Sequence, residues 1–188
     1  MQLEPGQIID GRFEVEALVG EGGLAEVYRV RHRELGRIMA LKLLTWRKKS
    51  LIERLVLEGR IQAQLNHPNV VAVLDLVRHD GQVALLMEYI DAETLGEYIA
   101  RVGPTPEDEA LELLAPILAA VDCAHAAGIT HRDLKPANIM LASVGSGVVP
   151  KVADFGIAKG PTSSRWAPSP MSCSAASKPS PTTRASSA

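Results

Sequence analysis

The sequence predicts an α+β fold, with a β-rich first half and a helical second half. Up to residue 90, apolar and polar residues alternate over several short segments, which is typical of half-buried strands. After Asp91, apolar residues recur instead at three- and four-residue spacing, which is typical of helices. We therefore expect a five-stranded antiparallel sheet with one helix beside it, followed by a partly helical region.

The strand-like segments are separated by signals for tight turns. A glycine cluster lies between the first two segments and predicts a hairpin with a flexible loop. Asp80-Gly81, a dipeptide that favours two-residue hairpin turns, lies between the last two. The five segments are residues 12–19, 25–31, 37–44, 70–77 and 83–90.

Three segments have helical periodicity, and prolines mark their limits. Pro68 follows the first, because the residue before a proline is driven out of the helical region. Thr105 is the expected N-cap of the third and Pro106 its first helical residue, whereas Pro116 should bend it because proline lacks a backbone donor. The segments are residues 50–65, 94–102 and 107–127.

The composition is that of one globular domain with a tail. The chain has 188 residues, and its formal net charge of -2 gives no indication of nucleic-acid binding. No apolar run reaches the roughly 18 residues of a membrane span, and residues 1–10 lack the features of a signal peptide. Cys123 and Cys173 have neither metal-ligand nor disulfide-framework spacing. We expect a soluble, cytoplasmic protein without a membrane segment.

Residues 160–188 differ from the rest of the chain. Of these 29 residues, 22 are Ser, Pro, Ala or Thr, and none is Leu, Ile, Val, Phe or Tyr. Such a segment buries too little apolar surface to offset the entropy of ordering it. We expect a disordered tail.

Two sites in the β-rich half are candidates for binding phosphate, and each has a plainer explanation. Residues 20–27, Gly-Glu-Gly-Gly-Leu-Ala-Glu-Val, place glycines where backbone amides can approach phosphates closely, although a simple hairpin turn has the same composition. Lys42 lies on the third strand segment, and Glu58 on the following helix is a possible partner for it. Taken alone, Lys42 and Glu58 are equally well explained as ordinary charged residues exposed to solvent.

Residues 131–138, His-Arg-Asp-Leu-Lys-Pro-Ala-Asn, change this balance. They place Asp133, Lys135 and Asn138 within six residues, and Asp154-Phe-Gly follows sixteen residues after the asparagine. Phosphoryl transfer needs a carboxylate at the attacking hydroxyl, cations near the phosphoryl group and oxygen ligands for magnesium. These residues supply all three requirements, so chance punctuation of a loop is a poor alternative.

With these motifs, the chain resembles the eukaryotic-like serine/threonine protein kinases of bacteria over residues 12 to about 159. The resemblance implies a kinase-like fold, with an N-lobe at 12–90 and a partial C-lobe at 91–159. It also implies ATP and Mg²⁺, with Mn²⁺ as an alternative, and a protein substrate. Lys135, two residues after the aspartate, is similar to the serine/threonine-specific branch.

The resemblance implies a role for each chemical residue. Asp133 would be the catalytic base, and Lys135 would neutralise charge on the γ-phosphate. Lys42 would hold the α- and β-phosphates and pair with Glu58. The implied magnesium ligands are Asn138 and Asp154, and the implied loop over ATP contains Gly20, Glu21, Gly22, Gly23 and Val27, with Ala25 in place of the family's third glycine.

The same resemblance implies the adenine pocket. Met87 would be the gatekeeper, and the backbones of Glu88 and Ile90 would face the adenine edge. Plain core packing explains the ring-contacting side chains equally well, because a residue that sandwiches a ring is also a core residue. Those implied to contact the ring are Val27, Ala40, Leu95 and Met140.

The sequence departs from the family at two places. Gln62 lies where the family usually has a leucine, and a buried amide there needs a partner or costs about 1–3 kcal/mol. After Gly156, the Gly-Thr and Ala-Pro-Glu signals of the activation segment are absent, so we expect a truncated chain whose 107–127 helix has an exposed face.

A reading-frame shift is the hypothesis for the tail. The codons of Trp166-Ala167, read one nucleotide earlier, encode a hydrophobic residue and then glycine, and Pro168 then permits threonine. We expect weak or no phosphoryl transfer from the chain as written. The alternatives are a module that binds Mg-ATP or a partner without transfer, and a gene remnant without function.

Overall fold

An antiparallel sheet of six strands, not five, forms the first half of the molecule. The computed structural model describes residues 2–22, 25–45, 49–145 and 147–155, so the predicted tail lies outside the described residues. The strand order is β1-β2-β3-β4-β6-β5. The strands are β1 Ile8–Ile9, β2 Phe13–Glu21, β3 Ala25–His32, β4 Ile38–Leu44, β5 Val73–His79 and β6 Gln82–Glu88.

The additional strand, β1, comes from the segment that precedes the first predicted strand. Ile8 pairs with Glu14 and Ile9 with Phe13, which adds a short edge to β2. The segment is held further by hydrogen bonds between Gly6 N–H and Val15 O and between Val15 N–H and Gln7 O. Two residues are too few to show an alternating pattern, so this strand was not predicted from the sequence.

Strand alternation gives the sheet two apolar faces. On β4, Leu41 and Leu43 belong to the core between the curled strands, together with Phe13 and Tyr28. The intervening side chains of β4 lie on the opposite face, where Ala40 and Leu44 pack in a second cluster. Lys42 shares that second face by its position in the strand.

One helix packs on this second face of the sheet, and two more follow in the second half. Helix α1 approaches β6 so closely at Gly59 that a Cβ there would lie 2.4 Å from Cδ2 of Leu85. Thr94 and Glu97 form a capping box at the start of α2. The helices are α1 Lys49–Gln62, α2 Leu95–Val102 and α3 Glu107–Ala126.

A two-stranded sheet connects the second half to the first. A 3-10 helix at Pro136–Asn138 leads into β7, Ile139–Val144, which pairs antiparallel with β8, Gly147–Val152. The segment after α1 adds to the edge of β8, because Val71 N–H donates to Val152 O and Val152 N–H donates to Asn69 O. This contact places the residues after β8 beneath the six-stranded sheet.

Several predicted boundaries were wrong, and each has a local reason. The strand predicted at 70–77 begins at Val73, because Val70 and Val71 pair with β8 instead of β6. The strand predicted at 83–90 ends at Glu88, and α1 ends at Gln62, three residues earlier than predicted. Pro106, not Thr105, is the N-cap of α3, and it makes no side-chain capping bond.

Helix α3 has one buried and one exposed face. Ile117 and Ala120 are buried against β8, and the helix continues on both sides of Pro116. The leucines of its other face are exposed in the described part of the chain, as predicted: Leu111, Leu114 and Leu118. None of the helices among the described residues is long and apolar enough to cross a membrane.

Candidate active site

Three predicted site residues of the 131–138 segment contact one another. Lys135 Nζ lies 2.8 Å from Asp133 Oδ2, and Asn138 Nδ2 lies 3.3 Å from the same oxygen. Asn138 Nδ2 also donates to the backbone oxygen of Asp133 at 2.8 Å. Arg132 has a φ of 65°, which turns the chain sharply just before the aspartate. The segment thus places the ammonium of Lys135 and the amide of Asn138 at the exposed carboxylate of Asp133.

The contacts of Asp133 favour its charged form. The hydrogen bond from Lys135 is the main cause that lowers the pKa of the Asp133 carboxyl below its ordinary value, and Asn138 acts in the same direction. The carboxylate is therefore ionised at neutral pH. It is also about half exposed, at 52%, so a second molecule can reach it.

His131 connects this segment to the one that carries Asp154. The ring is 3% exposed, its Nε2 lies 2.8 Å from Ala153 O, and its centroid lies 4.6 Å from that of Phe155. Ala153 N–H in turn donates to Asn138 O at 2.8 Å. The sequence motif contains this histidine, but no role was predicted for it. Its contacts set the position of Asp154 relative to Asn138.

Lys42 reaches Asp154 from the sheet. Its Nζ lies 2.5 Å from Asp154 Oδ1, and its residue is 8% exposed. In β4, Lys42 lies between Val27 of β3 and Leu85 of β6. Asp154 has a φ of 59° and its side chain is 42% exposed. The structure therefore brings together four of the predicted chemical residues in two linked pairs.

Two predicted site residues, the side chain of Glu58 and Gly23, fall on parts that the structure does not describe. The glycine of the Asp154-Phe-Gly motif also lies outside the described residues. Gly20 and Gly22 are described and lie at the end of the β2–β3 hairpin. Gly20 pairs with Val27, and Gly22 N–H donates to Ala25 O at 2.9 Å. Glu21 at the same tip is exposed.

The predicted adenine pocket is only partly one cluster. Ala40 and Met87 are buried together, and Val27 and Ile90 pack against them. Leu95 packs instead against the second-half core with Ile117, and Met140 pairs with Thr94 at the start of α2. Ala153 joins the first group and was missed, because a small residue in a loop carries no sequence signal.

The backbone of Glu88 is hydrogen-bonded to the segment after α1. Its N–H donates to Ala72 O at 3.0 Å. Ile90 follows the end of β6, outside the ladder, and its side chain is half-buried. The orientation of both backbones toward the adenine edge stays a prediction.

Gln62 has the partner that its burial requires. The residue is 5% exposed, and its Nε2 donates to Val71 O at 3.3 Å. The acceptor belongs to the segment that pairs with β8. The amide therefore connects the end of α1 to the junction between the two halves of the molecule.

Comparison with known proteins assigns the family. The model described as protein kinase domain matches residues 13–174, which is most of the chain. The chain belongs to the protein kinase family. Members of this family use ATP and a divalent cation and phosphorylate proteins. The resemblance found in the motifs is thereby confirmed, and the match runs past residue 159.

Related kinases come from several bacteria. The chain is 40% identical over 161 residues to the probable serine/threonine-protein kinase PknB of Lactococcus lactis, and this match covers 84% of the chain and 25% of that protein. It is 38% identical to the serine/threonine-protein kinase PrkC of Bacillus subtilis, of which it spans 24%. The chain thus spans about a quarter of the length of these two relatives.

Solved kinase structures share the fold. The kinase domain of Mycobacterium tuberculosis PknI superimposes with a TM-score of 0.72 at 32% identity, covering 86% of this chain and 66% of that one. A Rad53 segment in complex with AMP-PNP gives a TM-score of 0.70 at 31% identity, covering 78% and 38%. An α+β kinase fold with a sheet-rich N-lobe and a partial C-lobe is therefore the fold of this chain.

Proposed function

We propose that this kinase domain transfers the γ-phosphoryl group of Mg-ATP to serine or threonine hydroxyls of a protein, and that the chain as given does so weakly. The observation that carries the proposal is the pair of linked contacts, Asp133 with Lys135 and Lys42 with Asp154. They place an ionised carboxylate in one loop and a cation–carboxylate pair in the next. His131 joins the two loops through Ala153.

The nucleotide is proposed to lie between the sheet and the β7–β8 hairpin. The apolar cluster of Ala40, Met87 and Val27 would receive the adenine, and the Glu88 carbonyl would accept from its amino group. Lys42 Nζ, on the same face of β4, is a donor for the α- and β-phosphates. The similarity to a Rad53 segment in complex with AMP-PNP supports this placement.

The donor set suits magnesium. The described residues contain no cluster of three or more His, Cys, Asp or Glu that could hold a metal by itself. Asn138 uses its amide nitrogen for both hydrogen bonds to Asp133, so its amide oxygen is the atom that could bind a cation. Together with the Asp154 carboxylate it offers hard oxygen ligands, and Mg²⁺ commonly completes such a site with phosphate oxygens and water. When bound, the ion neutralises charge that develops on the phosphates.

Asp133 is the proposed base. Its lowered pKa keeps the carboxyl ionised at neutral pH, so one of its oxygens can orient an attacking hydroxyl and take its proton during the transfer. Lys135, 2.8 Å from it, orients the carboxylate and would neutralise the γ-phosphate. The serine/threonine specificity and the protein substrate are inferred from the named relatives. Because the reaction consumes ATP, we place the domain in the cytoplasm.

The test uses the purified chain and two of its variants. We expect Mg-ATP to raise the melting temperature of the unaltered chain, because a ligand that binds only the native state stabilises it. Asp154→Asn should reduce the shift that ATP produces in the presence of Mg²⁺. It should leave unchanged the smaller shift that ATP produces without Mg²⁺. Transfer of ³²P to a generic basic protein should be weak for the unaltered chain and absent for Asp133→Asn.

The outcomes separate the possible activities. A Mg-ATP shift with transfer that depends on Asp133 supports the kinase. A shift without any transfer supports a nucleotide-binding module instead. Absence of a cooperative melt or of any nucleotide shift would refute both.

A further inference from the structure

The side chain of Glu88 lies at a junction of three segments. Lys151 Nζ of β8 lies 2.7 Å from Glu88 Oε1 and 3.0 Å from Oε2. Ala72 N–H donates to the same Oε1 at 2.9 Å, while Glu88 N–H donates to Ala72 O at 3.0 Å. The carboxylate therefore joins the end of β6, the segment after α1, and β8.

This junction differs from a surface ion pair. The Glu88 and Lys151 side chains are 22% and 19% exposed, and both carboxylate oxygens contact the ammonium group. The Arg101–Glu93 pair is 61% and 35% exposed, which is the setting in which ion pairs contribute little. A less exposed carboxylate with three hydrogen bonds has a defined position.

The junction also lies next to the proposed adenine pocket. The backbone carbonyl of Glu88 is the proposed acceptor for the adenine amino group, and the mutual bonds with Ala72 set its orientation. On β8, Lys151 is directly opposite Met140 of β7, so the two side chains share one face of that hairpin. Asp154 follows three residues after Lys151.

We propose that Glu88 and Lys151 are positioning residues that hold the adenine-facing backbone of Glu88 at a constant distance from the β7–β8 hairpin. The inference rests on the proposed function. Neither side chain needs to contact the nucleotide. Without the pair, the end of β6 is held to the second half through fewer contacts, so the carbonyl of Glu88 is less well oriented and the nucleotide binds less tightly.

The experiment compares affinities and stability for four forms of the full chain. Isothermal titration calorimetry measures the Kd of Mg-ADP and of adenosine, and calorimetric melting gives Tm. Lys151→Met should raise the Kd of both ligands about three- to tenfold, because adenosine shares the adenine contact. Lys151→Arg, which keeps the charge, should restore most of the affinity. Arg101→Met removes the exposed pair at Glu93 and serves as the matched control, with an unchanged Kd.

The readouts distinguish positioning from plain stabilisation. If Lys151→Met lowers Tm while both Kd values stay at those of the unaltered chain, the pair is only structural and the inference is overturned. It is also overturned if Mg-ADP binding weakens but adenosine binding does not, because the adenine edge is then unaffected. If the unaltered chain binds neither ligand, the proposed function fails and the inference fails with it.

Discussion

Lys42 Nζ and Asp154 Oδ1 lie 2.5 Å apart although 112 residues separate them in the chain. The lysine belongs to the central strand β4 of the sheet, and the aspartate follows β8 in the other half. The pair thus connects the two lobes across the proposed nucleotide site. The lysine is nearly buried, whereas the aspartate side chain is 42% exposed and accessible to a ligand.

We predict that Lys42→Met weakens Mg-ADP binding by about tenfold or more, equivalent to ~1.4 kcal/mol or more. The variant removes the proposed phosphate donor and leaves the Asp154 carboxylate without its cation. The measurement is calorimetric titration with Mg-ADP. Arg78→Met on β5, which removes an exposed cation, is the control and should bind like the unaltered chain. Equal affinities for the two variants would contradict the role of Lys42.

Gln62→Ala should lower the free energy of unfolding by about 1–3 kcal/mol, because Val71 O loses its hydrogen-bond donor and a buried cavity forms. Chemical denaturation with urea provides the measurement. Gln64→Ala, at an exposed position two residues later, should change stability by less than about 0.5 kcal/mol. A similar loss in both variants would show that the amide of Gln62 contributes nothing specific.

Gly59→Ala should destabilise the fold by about 1–3 kcal/mol despite the better helix propensity of alanine. The new Cβ would lie 2.4 Å from Cδ2 of the buried Leu85, so either this side chain or α1 must shift. Gly59→Ala should cost less stability in a Leu85→Ala background than in the unaltered chain, because the clashing side chain is then absent. Thermal melts of the three variants form the double-mutant cycle, and simple additivity would contradict the proposed clash.

The raised pKa of the buried Tyr28 hydroxyl leads us to expect a loss of stability at alkaline pH. Burial, helped by the hydrogen bond to Glu26, raises the pKa of Tyr28 to about 12, against an ordinary value near 10. The neutral phenol is therefore favoured by the folded state. Its contribution to stability is fully present below about pH 10 and is lost as the pH rises towards 12.

Urea denaturation between pH 9 and 12 tests this. The unaltered chain should lose more stability over this interval than Tyr28→Phe, because phenylalanine has no proton to lose. Tyr28→Phe should also remove the most alkaline step of the tyrosinate absorbance titration at 295 nm. Parallel pH profiles of the two proteins would refute the shifted pKa.

Residues close in sequence explain why much of the site was predictable. Asp133, Lys135 and Asn138 lie within six residues, so one turn followed by a 3-10 helix is enough to bring them into contact. Strand alternation similarly explains why Lys42, which was predicted to lie on this strand, shares a face of β4 with Ala40.

Contacts between distant segments account for what was missed. Glu88 and Lys151 are 63 residues apart, and each is an ordinary strand-end or strand residue in the sequence. Val70 and Val71 read as the start of a strand beside β6, but the edge of β8 competes for their backbone groups. Such competition is decided by the packing of whole elements.

The sequence by itself determined the order of strands and helices, the hairpin turns and the eight-residue segment that carries Asp133. These depend on periodicity, turn chemistry and hydrogen bonds over a few residues, which a short stretch of chain already specifies. Only the tertiary structure decided that Lys42 pairs with Asp154, that Lys151 pairs with Glu88 and that a sixth strand forms the edge of the sheet beside β2. Those contacts form only when distant segments fold against one another. The local sequence around either residue does not specify which distant residue it will contact.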